Sequence, residues 1–237
     1  MTELLFLQDS YIKEFAAKVT EHVDGGIILD RTAFYIGGGG QPCDHGMLVS
    51  DGVEYKVTKV GRENGTLIHY IEDTQPVIGT SVTGTIDWER RYSLMRTHTA
   101  LHILSGIVWR DFGAKVTGGN MQPGTARMDF ELENISTSFS DEIYEKLNQE
   151  VDQARPIEIG FLTRQEAESE PDLIRTKINL LPPEITEIRT IDIRGLDLQA
   201  DGGTHVANTR EVGQVNIIGH ESKGRINKRL RLSLIHI

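Results

Sequence analysis

Two histidines four residues apart, His98 and His102, lie in the run Arg96-Thr97-His98-Thr99-Ala100-Leu101-His102, and a third, His205, closes the run Asp201-Gly202-Gly203-Thr204-His205. On a helix, side chains at i and i+4 share a face about 5 to 6 Å apart at Cβ, a gap that one zinc ion spans. Taken alone, two helical histidines are more often ordinary packed or surface residues. The third shifts the balance, because two glycines before it let the chain turn tightly at a strand end and bring a loop against the helix face. Asp201 would then join three neutral imidazoles, as a fourth ligand or as the group that orients one of them. The alternative for Asp201-Gly202 is a plain turn. Three protein nitrogens with one open position describe a catalytic rather than a closed structural site. No Glu follows His98 directly, which disfavours a metallopeptidase helix. The single Cys43 excludes an internal disulfide and a thiolate zinc ribbon.

The helix that carries His98 and His102 is predicted to start at a cap, Asp87, and to run through about Phe112 to a stop at Gly113. Residues 1 to 87 ahead of it are β-rich. Asp24-Gly25-Gly26, Asp51-Gly52 and Asn64-Gly65 separate short apolar runs, a pattern that predicts a small barrel. The domain boundary is therefore placed between residues 87 and 88, with an α+β domain following over 88 to 237. In that domain Gly118-Gly119-Asn120 and Pro123-Gly124 read as a turn region before a strand over Ala126–Phe130. Ile143, Leu147, Val151 and Ala154 mark one face of a helix from about Ser140 to Ala154. A strand over Ile157–Leu162 precedes the capping box Thr163-Arg164-Gln165-Glu166 of a short helix ending near Pro171. Glu184 to Gln199 alternates as one half-buried strand, and the last strands are Val212–Gly219 and Leu230–Ile235. The fold class is α+β throughout.

The 237 residues carry a net charge of −10, which argues against a protein that coats nucleic acid without specificity. One basic stretch stands apart: Lys223, Arg225, Lys228, Arg229 and Arg231 face Glu221 alone between Glu221 and Ile237. Such asymmetry suits a phosphate-bearing partner docked near the C-terminus, or else a terminal strand with a solvated face. No run approaches the ~20 apolar residues of a membrane helix. Met1-Thr2-Glu3 opens with an acid where a signal peptide carries basic residues. No membrane partner and a reducing, cytoplasmic compartment are the expectations.

Arg96–His102 and Gln199-Ala200-Asp201-Gly202-Gly203-Thr204-His205-Val206 resemble the two metal-binding segments of the alanyl-tRNA editing family, about 100 residues apart in both cases. That family comprises the editing domain of alanyl-tRNA synthetase and its freestanding relatives, the AlaX proteins. Thr32-Ala33-Phe34-Tyr35, Gly37-Gly38-Gly39-Gly40-Gln41-Pro42, Asp44 and Gly46 are similar to the glycine-rich segment ahead of the editing domain in the synthetase and in medium-length AlaX. Ser222-Lys223-Gly224-Arg225 and Arg229-Leu230-Arg231 resemble its ending. Two positions depart. Tyr35-Ile36 stands where the family has tyrosine-proline, a change that relaxes a turn. Asp201 stands where the family usually has Cys; a carboxylate is harder than a thiolate, so zinc should be held less tightly and other divalent ions admitted.

The resemblance implies a trans-editing hydrolase, zinc-dependent, that deacylates alanine tRNA carrying serine and, in lesser measure, glycine. Metal ligands are His98, His102, His205 and Asp201. The substrate pocket is expected around Thr204 and Gly118, Gly119 and Asn120, with Arg127 and Asp129 as supporting polar groups or as a structural ion pair. Gln41 and its glycines would line the tRNA end or form a turn at the barrel rim; they are no P-loop, since Gln41-Pro42 follows where Lys-Ser or Lys-Thr is required. Lys223, Arg225, Lys228, Arg229 and Arg231 would contact tRNA. No general base stands out. The chain is too short for aminoacylation machinery, and DNA is not an expected partner. Two other readings remain open here: a tRNA-binding module with a structural metal, and a metal-dependent hydrolase of another small ester or amide.

Overall fold

The computed structural model describes residues 2–72, 74–170, 172–173 and 186–235. Two compact units divide the chain, Met1–Ser93 and Leu94–Ile237.

In the first unit the short strands β1 (Glu3–Leu4) and β4 (Arg31–Thr32) pair in parallel. Six others, β2 (Glu14–Val23), β3 (Gly26–Leu29), β5 (Gly46–Ser50), β6 (Val53–Glu63), β7 (Thr66–Ile71) and β8 (Ser81–Ile86), close the expected barrel in the order β2-β3-β7-β6-β5-β8. Asp51-Gly52 and Asn64-Gly65 have positive φ at both residues, the hairpin geometry whose twist matches that of the strands it joins. Phe15, Ala17 and Val19 alternate inward along β2 to meet Ile27, Leu29, Phe34, Leu48 and Val57. Closure removes the sheet edges that would otherwise recruit another chain.

A buried ion pair that the sequence did not mark fastens this unit. Arg91 is fully buried; its Nε donates to the two Asp44 oxygens at 3.1 and 2.9 Å, and its Nη1 donates to the Ser10 carbonyl at 2.9 Å. Nη2 reaches the Ala33 carbonyl at 2.6 Å and Asp44 as well. Asp44 also accepts from the Tyr35 N–H at 2.6 Å and donates its own N–H to the Tyr35 carbonyl at 3.0 Å. The segment between these anchors contains Gly37 to Gly40, all at positive φ, with Gly38 and Gln41 exchanging backbone bonds of 3.0 and 2.8 Å. The glycines therefore make a tight turn bonded to itself.

Helix α1 (Trp88–Phe112) starts and stops where its caps predict: the Asp87 carboxylate accepts from the Arg90 N–H at 3.2 Å, and Gly113, at φ +63°, donates to the Trp109 carbonyl. Every residue from Leu94 to Val108 is buried, polar ones included. Each polar group on this helix must then be answered from within the protein. Arg96 donates to the Val212 carbonyl at 3.0 and 2.7 Å and to the Ile235 carbonyl at 2.9 Å. The Thr97 hydroxyl accepts from the Gly124 N–H at 3.0 Å.

The second unit continues with β9 (Val116–Gln122), β10 (Thr125–Phe130), α2 (Thr137–Asp152), β11 (Ile157–Thr163), α3 (Arg164–Ser169), β12 (Glu187–Ile193), β13 (Asp197–Ala200), β14 (Val215–Gly224) and β15 (Asn227–Leu234). Two antiparallel sheets result, β14-β15-β10-β9 and β11-β12-β13. Several sequence expectations need correction. Gly118-Gly119-Asn120 is not a turn but lies within β9, because the hairpin forms at Pro123-Gly124 and pairs Gly118 with Asp129 and Asn120 with Arg127. Helix α2 begins earlier, where the Ser136 hydroxyl caps the Phe139 N–H, and Ala154 lies beyond it at φ +51°. The predicted long strand is a hairpin, β12 and β13, broken at Gly195 with φ +74°. Its expected start at Glu184, and the expected end of α3 near Pro171, lie outside the described residues. The capping box of α3 is formed as expected by Thr163 and Glu166. The last two strands are shifted from their predicted limits, since Thr209–Val212 is a short 3-10 turn.

Candidate metal centre

His98 and His102 project from the buried stretch of α1, and the loop after β13 supplies Asp201 and His205. Local bonds set that loop. The Asp201 N–H donates to the Arg189 carbonyl at 3.1 Å, extending the β12-β13 pairing by one residue, and the Gly203 N–H donates back to Asp201 Oδ2 at 2.6 Å. This side-chain turn is the kind Asp makes two residues along its own backbone. The loop is then fixed to α1 through Thr99, whose hydroxyl accepts from the Val206 N–H at 3.3 Å and lies 3.1 Å from His205 Nδ1.

The three imidazole centroids are 5.0, 4.2 and 4.6 Å apart. His205 Nε2 is 3.1 Å from Asp201 Oδ2, and His98 Nε2 and His102 Nε2 are 3.7 and 4.0 Å from Asp201 Oδ1. One ligand atom from each of the four residues lies within 4.8 Å of the other three, so the cluster could hold a metal ion. The histidine side chains are 6, 8 and 2% exposed and Asp201 is 17% exposed, so the carboxylate is the cluster's most open member.

The surroundings fit a cation. A second polar group lies beside each imidazole: the Thr204 backbone bonds His98, the Thr99 hydroxyl is 3.1 Å from His205 Nδ1, and Asp197 Oδ2 is 3.3 Å from the buried His102 Nδ1. Metal-binding histidines are oriented in this way, by a partner for the ring nitrogen that faces away from the ion. Burial, reinforced by repulsion between the protonated forms of the adjoining imidazoles and by Arg189, holds His98 down at about 4 despite Asp201, and burial holds His205 well below its ordinary value. Burial works against ionisation of Asp201, but the facing imidazoles, with His98 foremost, outweigh it and hold the carboxyl well below the usual range. At neutral pH His98 and His205 are therefore uncharged and Asp201 is an anion. Arg189 is buried beside it, with Nη1 2.8 Å from the Asp201 carbonyl and 4.0 Å from its carboxylate.

The other residues singled out in the sequence are distributed differently. Thr204 is fully buried in the metal-site loop. Arg127 and Asp129 share one face of β10 with the register partners Arg231 and Arg229 on β15 and Asn120 and Gly118 on β9; Gly119 pairs with Met128. On that face Arg229 donates to Asp129 at 2.7 and 2.8 Å and approaches Glu221 at 3.3 Å, while Arg127 is 3.1 Å from Asp129. Asp129 is consequently held below the ordinary carboxylate range, chiefly by Arg229. Arg231 and Lys223 reach Glu221 at 2.8 and 3.3 Å. Lys228, expected to be a tRNA contact, is 4% exposed, and its ammonium donates to the Gly224 and Arg225 carbonyls at 2.7 and 2.9 Å, where it clamps the β14-β15 hairpin. Arg225 is exposed at the hairpin tip. Gln41, 2% exposed, belongs to the glycine turn of the first unit.

Sequence reasoning missed Asp197, Arg189 and Thr99. The first two lie in strand segments where alternation gives no sign of what a polar side chain faces, and Thr99 carries no motif beyond its place between the histidines.

Comparison with known proteins bears on the same residues. Residues 3–90 match the family described as tRNA synthetases class II (A), and residues 188–231, which include Asp201 to His205, match the threonyl and alanyl tRNA synthetase second additional domain. The alanyl-tRNA editing protein AlaX-M of Saccharolobus solfataricus is 43% identical over 97% of this chain and 98% of its own. That of Methanosarcina barkeri is 39% identical over 99% of this chain and 100% of its own. The alanine–tRNA ligase of Pyrococcus furiosus is 38% identical over 93% of this chain, which spans only 24% of that enzyme. None of the described helices is long and apolar enough to cross a membrane. With identity of this level sustained over nearly the whole length, the chain belongs to the AlaX alanyl-tRNA editing family.

Proposed function

We propose that this protein hydrolyses the ester joining a wrong amino acid, chiefly serine and secondarily glycine, to the 3′ end of alanine tRNA. It acts in trans and in the cytoplasm, on tRNA charged by a separate synthetase. The observation that carries this reading is the buried cluster of His98, His102, His205 and Asp201, in a chain similar along its length to proteins named for alanyl-tRNA editing.

The chemistry calls for such an enzyme. A pocket that accepts alanine rejects an isostere with one added hydroxyl only modestly, whereas a site built to hydrogen-bond that hydroxyl rejects the analogue lacking it by a large factor. Thr204, buried beside His205, is the group assigned to the serine hydroxyl, with Gly118, Gly119 and Asn120 in the pocket wall. Arg127 and Asp129 support the sheet through their ion network.

Zinc is the metal proposed for the four ligands, and a divalent ion held there would supply Lewis-acid polarisation. The chain's own contributions are three neutral nitrogens, a carboxylate that offsets the ion's charge, and a wall of buried side chains that excludes bulk water. Gly203 fixes one Asp201 oxygen, leaving Oδ1 toward His98 and His102. Lys223, Arg225, Arg229 and Arg231 on the β14-β15 hairpin are assigned to the tRNA backbone, with Arg225 exposed at the hairpin tip.

The test is incubation of the purified protein with serine-charged and with alanine-charged alanine tRNA. Release of serine with alanine retained is the expected result. Binding without release would reduce the protein to a tRNA-binding module, and equal indifference to both would point to another small ester or amide.

A further inference from the structure

Asp197 opens β13, is 3% exposed, and has no part in the four-residue cluster, yet its Oδ2 lies 3.3 Å from His102 Nδ1. The same oxygen accepts from Gln199 Nε2 at 2.6 Å, and Gln199 Nε2 is also 3.3 Å from the Ser105 hydroxyl on α1. A carboxylate buried this deeply is expensive unless its lone pairs are met. Here one oxygen is met by the Gln199 amide, and the buried His102 Nδ1, which makes no well-aligned hydrogen bond of its own, stands 3.3 Å from the same oxygen. The backbone is shaped for this approach. Gly106, four residues after His102 on α1, faces the turn into β13, and a Cβ there would come within 3.1 Å of Leu196 Cγ and 3.2 Å of Asp197 Cβ. Any larger residue at 106 would push Asp197 outward from the helix that carries His102.

We propose that Asp197 is the positioning residue of the metal centre: by accepting from His102 Nδ1 it selects the tautomer that turns the Nε2 lone pair toward Asp201, with Gln199 and Ser105 holding the carboxylate in line and Gly106 giving it room. The inference rests on the metal reading above but concerns affinity rather than catalysis. Outer partners of ligating histidines typically govern metal affinity by 10- to 100-fold.

The experiment is a zinc titration against a chromophoric chelator for the parent, Asp197→Ala, Asp197→Asn and Gly106→Ala, with the urea midpoint of each metal-free protein measured in parallel. Asp197→Ala should bind zinc about 10- to 100-fold more weakly. Asp197→Asn, which keeps an acceptor oxygen, should recover part of that loss, and Gly106→Ala should weaken binding in the same direction. All should occur with metal-free midpoints near that of the parent. Parent-like affinity in Asp197→Ala would overturn the proposal. A loss of affinity matched by an equal loss of metal-free stability in all three variants would also overturn it, as a purely structural role. A parent that binds no zinc would instead sink the metal reading itself, an outcome distinct from both.

Discussion

Among the described residues, two of the buried groups of charged and polar side chains, one in each unit, are arranged in different ways. In the barrel, the Arg91 guanidinium spends its donors on Asp44, Ser10 and Ala33, and Asp44 accepts from Tyr35 as well, so donors and acceptors balance within the fold. In the second unit, three imidazoles and Asp201 converge, with His205 Nε2 3.1 Å from Asp201 Oδ2, while Thr204, Asp197 and Thr99 flank the rings. The first arrangement locks a turn. The second gathers side chains that could hold one metal ion.

Opposite responses to deletion follow, and they are the sharpest way to break this contrast. Arg91→Met leaves Asp44 buried without its partner and should cost about 3 to 5 kcal/mol in urea unfolding of the barrel unit. His205→Ala should abolish stoichiometric metal binding while leaving the metal-free protein close to parent stability. Equal destabilisation of the metal-free protein by both substitutions would show that the cluster is structural too.

A second test concerns acid. His69, in the barrel core with Nε2 2.8 Å from the Thr32 hydroxyl, is held down by burial to about 4. The unfolded chain takes up this proton near the ordinary value of 6.5 and the folded barrel only near 4. Its contribution is therefore complete above pH 6.5 and is lost as pH falls toward 4, by about 3 kcal/mol. Stability measured across that window should slope downward with acid, and His69→Gln should flatten the slope; an unchanged slope would remove His69 as the cause.

Smaller effects refine the metal side of the contrast. Asp201→Cys replaces a hard ligand by a soft one and should tighten zinc on the order of tenfold, ~1.4 kcal/mol. Affinity equal to the parent would mean that Asp201 is not a ligand. At the hairpin, replacing Lys223 and Arg225 by Ala should flatten the salt dependence of tRNA binding by about one to two units of slope. Lys228→Met should leave that slope alone and loosen the β14-β15 hairpin instead, since its ammonium is bonded to backbone carbonyls. A slope change from Lys228→Met comparable to the double substitution would restore it as a phosphate contact.

Local signals in the chain were legible where one segment settles its own conformation. The Asp87 cap and the Gly113 stop delimit α1, the Asp-Gly and Asn-Gly pairs mark barrel hairpins, Thr163 to Glu166 caps α3, and the i, i+4 spacing puts His98 and His102 on one face. Signals that depend on pairing between distant strands misled. Gly118-Gly119-Asn120 reads as a turn by composition, yet β10 holds it extended in β9. Lys228 reads as a free surface charge, but the hairpin folds its ammonium onto its own backbone.

What the amino-acid order determined by itself, then, is the identity of the residues that form the His and Asp cluster and the shape of each piece that carries them, since caps, glycines and helical spacing act over a few residues. Only the tertiary structure decided that His205 reaches α1 across more than 100 residues through Thr99, that Asp197 and Arg189 stand beside the cluster, and that most of the C-terminal basic charge is already paired. These are contacts between segments far apart in the chain, and strand alternation tells which face a side chain takes but not what awaits it there.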